Sequence, residues 1–326
     1  MAWKNDTDIK DFVLLGLSNM PYVQNMLFVV FLIMYLIILI ANSLIIMATV
    51  MDSNLHTPMY LFLINLSFLD ICYSTSSIPR MLRDLLSSKK TISFEECVAQ
   101  MYISLSLGMT ECLLLAVMAY DRYIAICFPL HYITIISRTV CIKIAAAAWI
   151  CGFLLAVFHV SLTWSVDLCG HDKINHFICE VPEVLSLGCG NVKVVESAIF
   201  VVGVLILFIP VIFITISYIK IIGAILKINT VAGQKKAFST CGSHVIVVTL
   251  FYGSAMATYM KPQSEPSSPD KDKYIAIFYI LVTPLLNPLV YTLRNKDVKS
   301  ALKLCWLKQQ RITQRWVRTL TGRELF

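Results

Sequence analysis

Seven stretches of this chain, near residues 25–50, 58–79, 97–126, 140–162, 196–226, 236–260 and 272–293, are apolar over about 20 residues or more, the length that crosses the hydrocarbon of a bilayer. In hydrocarbon every backbone N–H and C=O must be paired inside the spanning structure, so only helices or a closed barrel are viable. Period-2 alternation is absent from these stretches, which leaves helices. Composition agrees: 58% hydrophobic and 14% charged residues, with mean hydropathy +0.74, would leave a water-soluble domain with much apolar surface uncovered. The second, third, fifth and seventh stretches carry isolated polar residues that lipid would not tolerate, so those positions should face a bundle interior. The expectation is an all-α membrane protein built as one seven-transmembrane-helix bundle.

Three regions follow: an N-terminus over 1–24, the transmembrane domain over 25–293, and an amphipathic helix and tail over 294–326. The first 24 residues are polar and acidic, with Asp6, Asp8 and Asp11 and no apolar run of signal-peptide type, so the first span itself should direct insertion. The Lys/Arg bias is modest and carried mainly by the tail; it favours an extracellular N-terminus and a cytoplasmic C-terminus. Asn5-Asp6-Thr7 is a glycosylation acceptor that matters only in that orientation, a chance match being the alternative. Cys72, Cys112, Cys127, Cys141, Cys151, Cys241 and Cys305 fall in helices or the tail, where a small core role is usual. Cys97, Cys169, Cys179 and Cys189 fall on the would-be outer face and suggest two disulfides, whose pairing spacing alone leaves open. Bridged, they would hold the long 163–195 connection over the bundle as a lid.

After the seventh span, Val298, Ala301, Leu302, Cys305 and Trp306 share one helical face and Lys296, Lys299 and Lys303 the other. A short amphipathic eighth helix on anionic lipid is expected, with Cys305 either palmitoylated or simply packed. Arg311, Arg315, Arg318 and Arg323 read as a solvated basic segment. No metal-ligand spacing, nucleophile motif or phosphate-binding glycine loop occurs, so neither an enzyme nor a nucleic-acid partner is expected. Nor is there the inverted repeat or broken-helix pair of a transporter.

At the inner end of the third span stands Met118-Ala119-Tyr120-Asp121-Arg122-Tyr123-Ile124-Ala125-Ile126-Cys127, an acid and a base at the membrane boundary. Alone, Arg122 could be a boundary residue reaching for headgroups. Around it lie Leu55-His56-Thr57-Pro58-Met59-Tyr60, Pro129-Leu130-His131-Tyr132, Ser217-Tyr218, Lys236-Ala237-Phe238-Ser239-Thr240-Cys241, Ser243-His244, and Pro284-Leu285-Leu286-Asn287-Pro288 with Tyr291. In these ordered motifs, from about Leu14 to Leu302, the chain resembles the olfactory receptors, a family of rhodopsin-like G-protein-coupled receptors. The resemblance implies a plasma-membrane receptor with an odorant pocket in the outer third of the bundle, heterotrimeric G-protein engagement at the inner end, and cAMP signalling through an olfactory stimulatory G protein. Ala41, where the family usually has Gly, and Leu61, where Phe is common, depart from the pattern without touching the signalling motifs.

Asp121 is expected to hold Arg122 by a charge-assisted bond whose release lets the guanidinium reach acceptors such as Tyr218; Tyr123 belongs to the same coupling motif. Asn287-Pro288 removes one helical hydrogen bond and leaves a hinge or a structural kink, with Tyr291 one turn inward as a partner. His244 is either a switch contact to the third helix or a hydrogen-bonded core histidine. Asp70 and Glu111 are carboxylates near mid-helix, to be neutralised by a small cation or kept protonated and hydrogen-bonded. By resemblance Asp70 sits at the superfamily's sodium position, and Glu111 is the acid that olfactory receptors add nearby.

Counting outward from Arg122, the third helix presents Ser104, Leu105, Gly108 and Met109 on one face. The same phase, with the family resemblance, adds His159, Val202, Ile206, Tyr252, Met256, Tyr259 and Ile277, with Tyr259 and Ser104 as orienting groups. Such a lining suits a small, neutral, volatile molecule. Ser104 stands where amine receptors carry an acid, and the seventh span has no lysine for a retinal Schiff base. A ligand of about ten heavy atoms at ~0.5 kcal/mol per atom would bind only near the hundred-micromolar range, leaving sensitivity to downstream amplification. A receptor of this family serving a metabolite outside the nose is the nearest rival.

Overall fold

The computed structural model describes residues 10–260, 269–294 and 298–303. The glycosylation acceptor Asn5, and Lys296, Cys305, Trp306 and the basic tail, lie outside the described residues. Seven helices are long and apolar enough to cross a membrane: Pro21–Met51, Pro58–Leu86, Phe94–Cys127, Arg138–Thr163, Val192–Ile225, Val231–Tyr259 and Lys271–Tyr291. They are called the first to seventh spans below, and one continuous hydrophobic core runs between them.

Several spans start earlier than hydropathy alone suggests, because polar caps set the starts. Ser93 Oγ accepts from the Glu96 N–H (3.2 Å) while Glu96 Oε2 reaches back to the Ser93 N–H (3.4 Å), a capping box that opens the third span at Phe94. Ser137 accepts from the Val140 N–H and Thr230 from the Gly233 N–H, opening the fourth and sixth. Pro21 and Pro58 occupy first turns, where a missing N–H costs nothing. The second span continues through Pro79 to Leu86, because an internal proline there removes one hydrogen bond while the packed face carries on.

The seventh span is not uniform. Pro269–Ile277 passes through one π-helical turn, Phe278–Val282, into Thr283–Arg294. Pro288 lacks the N–H that would bond the Pro284 carbonyl, and the Asn42 amide of the first span donates to that oxygen instead (3.3 Å). A buried asparagine thus fills the gap that the proline opens.

The third span packs between the second, fourth and fifth. Its contact with the fourth is close at Gly152, where a Cβ would stand 2.2 Å from Thr110 Oγ1 and 2.8 Å from the Thr110 backbone nitrogen. Nearby, Trp149 Nε1 donates to Asn65 Oδ1 (3.1 Å), tying the fourth span to the second.

One end of the bundle carries a small sheet that the helical reading did not anticipate. Asp11–Leu14 pairs antiparallel with Thr91–Ser93 and parallel with Lys173–Ile174. The alternation in Asp-Phe-Val-Leu buries Phe12 and Leu14 beside Ile92 and Ile174, and Phe12 meets Trp164 (ring centroids 6.0 Å apart). Of the pairings left open, the structure forms Cys97–Cys179 and Cys169–Cys189, with Cα–Cα separations of 5.5 and 6.1 Å. The first ties the 163–195 connection to the head of the third span. At the far end, residues 298–303 are helical, with Val298 and Ala301 buried and Lys299 and Lys303 exposed.

Candidate ligand cavity and switch residues

A cavity of about 120 Å³ lies at the sheet end, enclosed by the second to seventh spans and roofed by Cys179, Glu180 and Val181 of the long connection. Dry apolar cavities of about 150 Å³ are large enough for benzene. The third span contributes Met101, Ser104, Leu105, Gly108, Met109 and Cys112, and the fourth contributes His159. The fifth supplies Ile199, Phe200, Gly203, Ile206 and Leu207; the sixth Phe251, Ala255 and Tyr259; the second and seventh Tyr73 and Tyr279.

Ser104, Leu105, Gly108, Met109, His159, Ile206 and Tyr259 therefore surround one space, whereas Val202, Tyr252, Met256 and Ile277 do not line it. Each displacement has a local cause. On the sixth span the lining residues recur every four positions back from Tyr259, and Tyr252 instead donates its hydroxyl to the Cys112 carbonyl of the third span (2.8 Å). Met256 falls one step off the same face. Val202 lies on the flank of the face that carries Ile199, Gly203 and Ile206. Past Ile277 the π turn changes the phase and presents Tyr279.

Few polar atoms face this space. Ser104 Oγ is buried without a partner. His159 Nδ1 lies 3.0 Å from the Leu155 carbonyl, which can only accept; Nδ1 therefore carries the hydrogen, and in the neutral ring Nε2 is an acceptor. Glu180, which sequence reasoning missed, accepts a hydrogen bond from the Tyr279 hydroxyl. Burial pushes its carboxyl up to about 7, against the pull of the Tyr279 bond. In the same connection, burial and Lys273 hold the His176 ring down to about 4. Glu180 follows Cys179, so the bridge to Cys97 at the top of a cavity-lining helix was the signal that places it.

At the opposite end the acid and base of the third span separate. Asp121 accepts from the Tyr132 hydroxyl (2.7 Å), and among the described residues no ion pair joins it to Arg122. The expected Asp121–Arg122 bond is thus corrected: consecutive helical residues diverge by about 100°, and a tyrosine from the following turn reaches the carboxylate first. The Arg122 guanidinium lies against Met59 Sδ, and its Nε has no partner. Tyr123 packs its ring against Tyr120 and Phe128.

Tyr218 does not meet Arg122 either. Its hydroxyl lies 2.8 Å from His244 Nδ1, while His244 Nε2 lies 3.1 Å from the Leu115 carbonyl. That carbonyl can only accept, so Nε2 donates to it and, in the neutral ring, Nδ1 accepts from Tyr218. One imidazole thereby joins the fifth, sixth and third spans. Deeper in the bundle, Asn287 Nδ2 donates to both Asp70 oxygens (3.0 and 3.1 Å) beside the buried Glu111. Among the described residues, Glu111 Oε1, Asn287 Oδ1 and the Tyr291 hydroxyl are buried without a hydrogen-bond partner.

The motifs and the architecture converge with what comparison shows. The family model described as olfactory receptor matches residues 31–309. The chain is 49% identical to human olfactory receptor 2B2 over 303 residues, covering 93% of this chain and 85% of that one. It is 48% identical to human olfactory receptor 2G3 over 303 residues (93% of this chain, 98% of that one) and 48% identical to mouse olfactory receptor 2B6 over 303 residues (93% and 96%). The chain is a multi-pass membrane protein, not an enzyme, and it belongs to the olfactory receptor family.

Proposed function

We propose that this odorant receptor binds small, predominantly apolar volatile molecules in the cavity beneath the Cys97–Cys179 bridge and activates a stimulatory, olfactory-type G protein to raise cAMP. The single observation that carries this reading is the pairing of a mostly apolar cavity at one end with an under-bonded Arg122 at the other. The sheet and disulfides face the outside of the plasma membrane, where oxidising conditions keep the bridges closed. The Arg122 end then faces the cytoplasm. The test is a volatile panel on transfected cells with a cAMP readout: dose-dependent signals absent from mock cells are expected, and silence from a surface-expressed chain contradicts the reading.

Asp70, Glu111 and Asn287 would hold a sodium ion between the second, third and seventh spans. The donor set fits a hard cation: carboxylate oxygens of Asp70, the orphaned Glu111 Oε1 and the orphaned Asn287 Oδ1. Sodium supplies positive charge where the bundle otherwise buries two acids. Replacing choline chloride by sodium chloride is expected to raise the unfolding midpoint of detergent-solubilised receptor by a few degrees, about 1.4 kcal/mol of linkage at ten times the dissociation constant. Asp70→Asn should erase that rise, and a variant that responds like wild type removes the sodium site.

A further inference from the structure

The polar groups that line the cavity are unequal in what they offer a ligand. His159 Nε2 is left as an acceptor by the bond at Nδ1, and Glu180 is a carboxyl whose Oε1 already takes the Tyr279 hydroxyl. A carboxylate has about four lone-pair sites, and one tyrosine does not exhaust them. Among the described residues, no lysine or arginine lines the space. A carboxylic acid would therefore bring a second negative charge beside Glu180 with nothing to offset it. A ketone, ester or ether would bring only acceptors, which the unpartnered Ser104 hydroxyl can serve but His159 Nε2 and a Glu180 carboxylate cannot, whereas a hydroxyl can accept from Ser104 and donate to Glu180. An ammonium would have to be stripped of water in a largely apolar chamber, at much higher cost than a hydroxyl. The complementary ligand is small and apolar, with one neutral donor.

We propose that Glu180 is the specificity-determining anchor of the cavity and selects volatile alcohols or phenols, whose hydroxyl donates to its carboxylate, over carbonyl compounds and ethers of the same skeleton. This rests on the odorant-receptor reading above. Its geometry is set by covalent structure: Cys179 is bridged to Cys97 at the head of the third span, and the Cys179 N–H donates to Gln100 Oε1 (3.0 Å). The residue after Cys179 is thus held over the cavity, where Tyr279 fixes its carboxyl. A group pinned from both sides is pre-organised, so less ordering is lost when a ligand arrives.

Only ionised Glu180 is purely an acceptor, and protonated it can donate to a carbonyl instead. Its surroundings are Tyr73 on the second span, Tyr259 on the sixth, Tyr279 and Asp272 on the seventh, and Glu183 on its own connection. None of these is a cation, and the carboxyl titrates at about 7. The sign follows: alcohol potency should grow as outside pH rises through that value and fall below it. His176, held down to about 4, stays neutral over the same range and does not confound the profile.

The experiment compares matched triples of alcohol, aldehyde and methyl ether, including benzyl alcohol, benzaldehyde and benzyl methyl ether and their six-carbon linear analogues. They are tested by cAMP in cells expressing the full chain, at outside pH of about 6 and about 8. Alcohols should be at least about ten-fold more potent than the ethers, with the gap widest at the higher pH. Glu180→Gln keeps the shape but adds an N–H donor, so it should narrow or reverse the alcohol-to-ether ratio and flatten the pH dependence. Tyr279→Phe, which frees a carboxylate lone pair, should keep the alcohol preference and serves as the second variant should Glu180→Gln reach the surface poorly. A receptor that answers ethers and alcohols equally, or whose ratio is unchanged in Glu180→Gln and lost only in Tyr279→Phe, overturns this inference alone. A surface-expressed receptor that answers no member overturns the odorant reading with it.

Discussion

Gly152→Val is expected to remove the receptor from the cell surface almost completely. Even the single methyl of alanine would stand 2.2 Å from Thr110 Oγ1, 2.8 Å from the Thr110 nitrogen and 3.0 Å from the Ser106 carbonyl. Rotation of the threonine relieves the first contact, but the other two are backbone atoms of the third span and move only if the helices part. Overpacking of this kind costs about 1–3 kcal/mol for modest additions, and more when backbone must shift. The third span also carries Arg122 and six of the twenty residues that line the cavity, so separation disturbs both. Surface labelling by flow cytometry should give a graded series: Gly152→Ala reduced, Gly152→Val absent, and Gly152→Ala with Thr110→Ala only partly restored. Normal surface levels of Gly152→Val would refute the close approach of these two spans.

His244→Ala is expected to raise ligand-independent cAMP about five-fold at equal surface level. The ring makes the 2.8 Å bond to Tyr218 and the 3.1 Å bond to the Leu115 carbonyl, and the three spans it joins surround the end where Arg122 lies. Losing these ties frees the sixth span from the third. Net values of about 0.5 kcal/mol per hydrogen bond, about 1 kcal/mol for the two together, shift a two-state equilibrium by roughly that factor. Tyr218→Phe, which keeps the ring and removes one bond, should give a smaller rise. Basal signalling below wild type in both variants would mean that the imidazole supports the signalling state instead of restraining it.

The seven spans and the lid were legible because hydropathy and cysteine position report directly on solvent and on covalent ties. Finer features depended on interactions that periodicity does not carry. The Ser93 and Thr230 caps lengthened helices by side-chain bonds to backbone N–H groups, a signal present in the sequence but weaker than the apolar run beside it. Tyr252 and Met256 were assigned to the cavity one step out of phase, although the i−4 and i−8 neighbours of Tyr259 mark the lining face. Ile277 was displaced by a π turn that no local pattern announces. Asp121 and Arg122 read as a pair because they are adjacent, yet adjacency on a helix separates side chains, and the partner of Asp121 was Tyr132, eleven residues on. Glu180 escaped notice because its role comes from the Cys97–Cys179 bridge, whose pairing spacing left open.

In the proposed function, occupancy of one cavity drives signalling at the far end of the bundle. Gly108 lines that cavity, and a Cβ placed on it meets nothing within 4 Å, so the side chain of Gly108→Phe starts from open space and competes with a ligand for the cavity. The decisive measurement is the cAMP dose–response of Gly108→Phe against wild type, at matched surface level, to any volatile that activates the wild-type chain. The further rise on adding the volatile should disappear; a response of undiminished potency and amplitude would place the ligand elsewhere and contradict this reading.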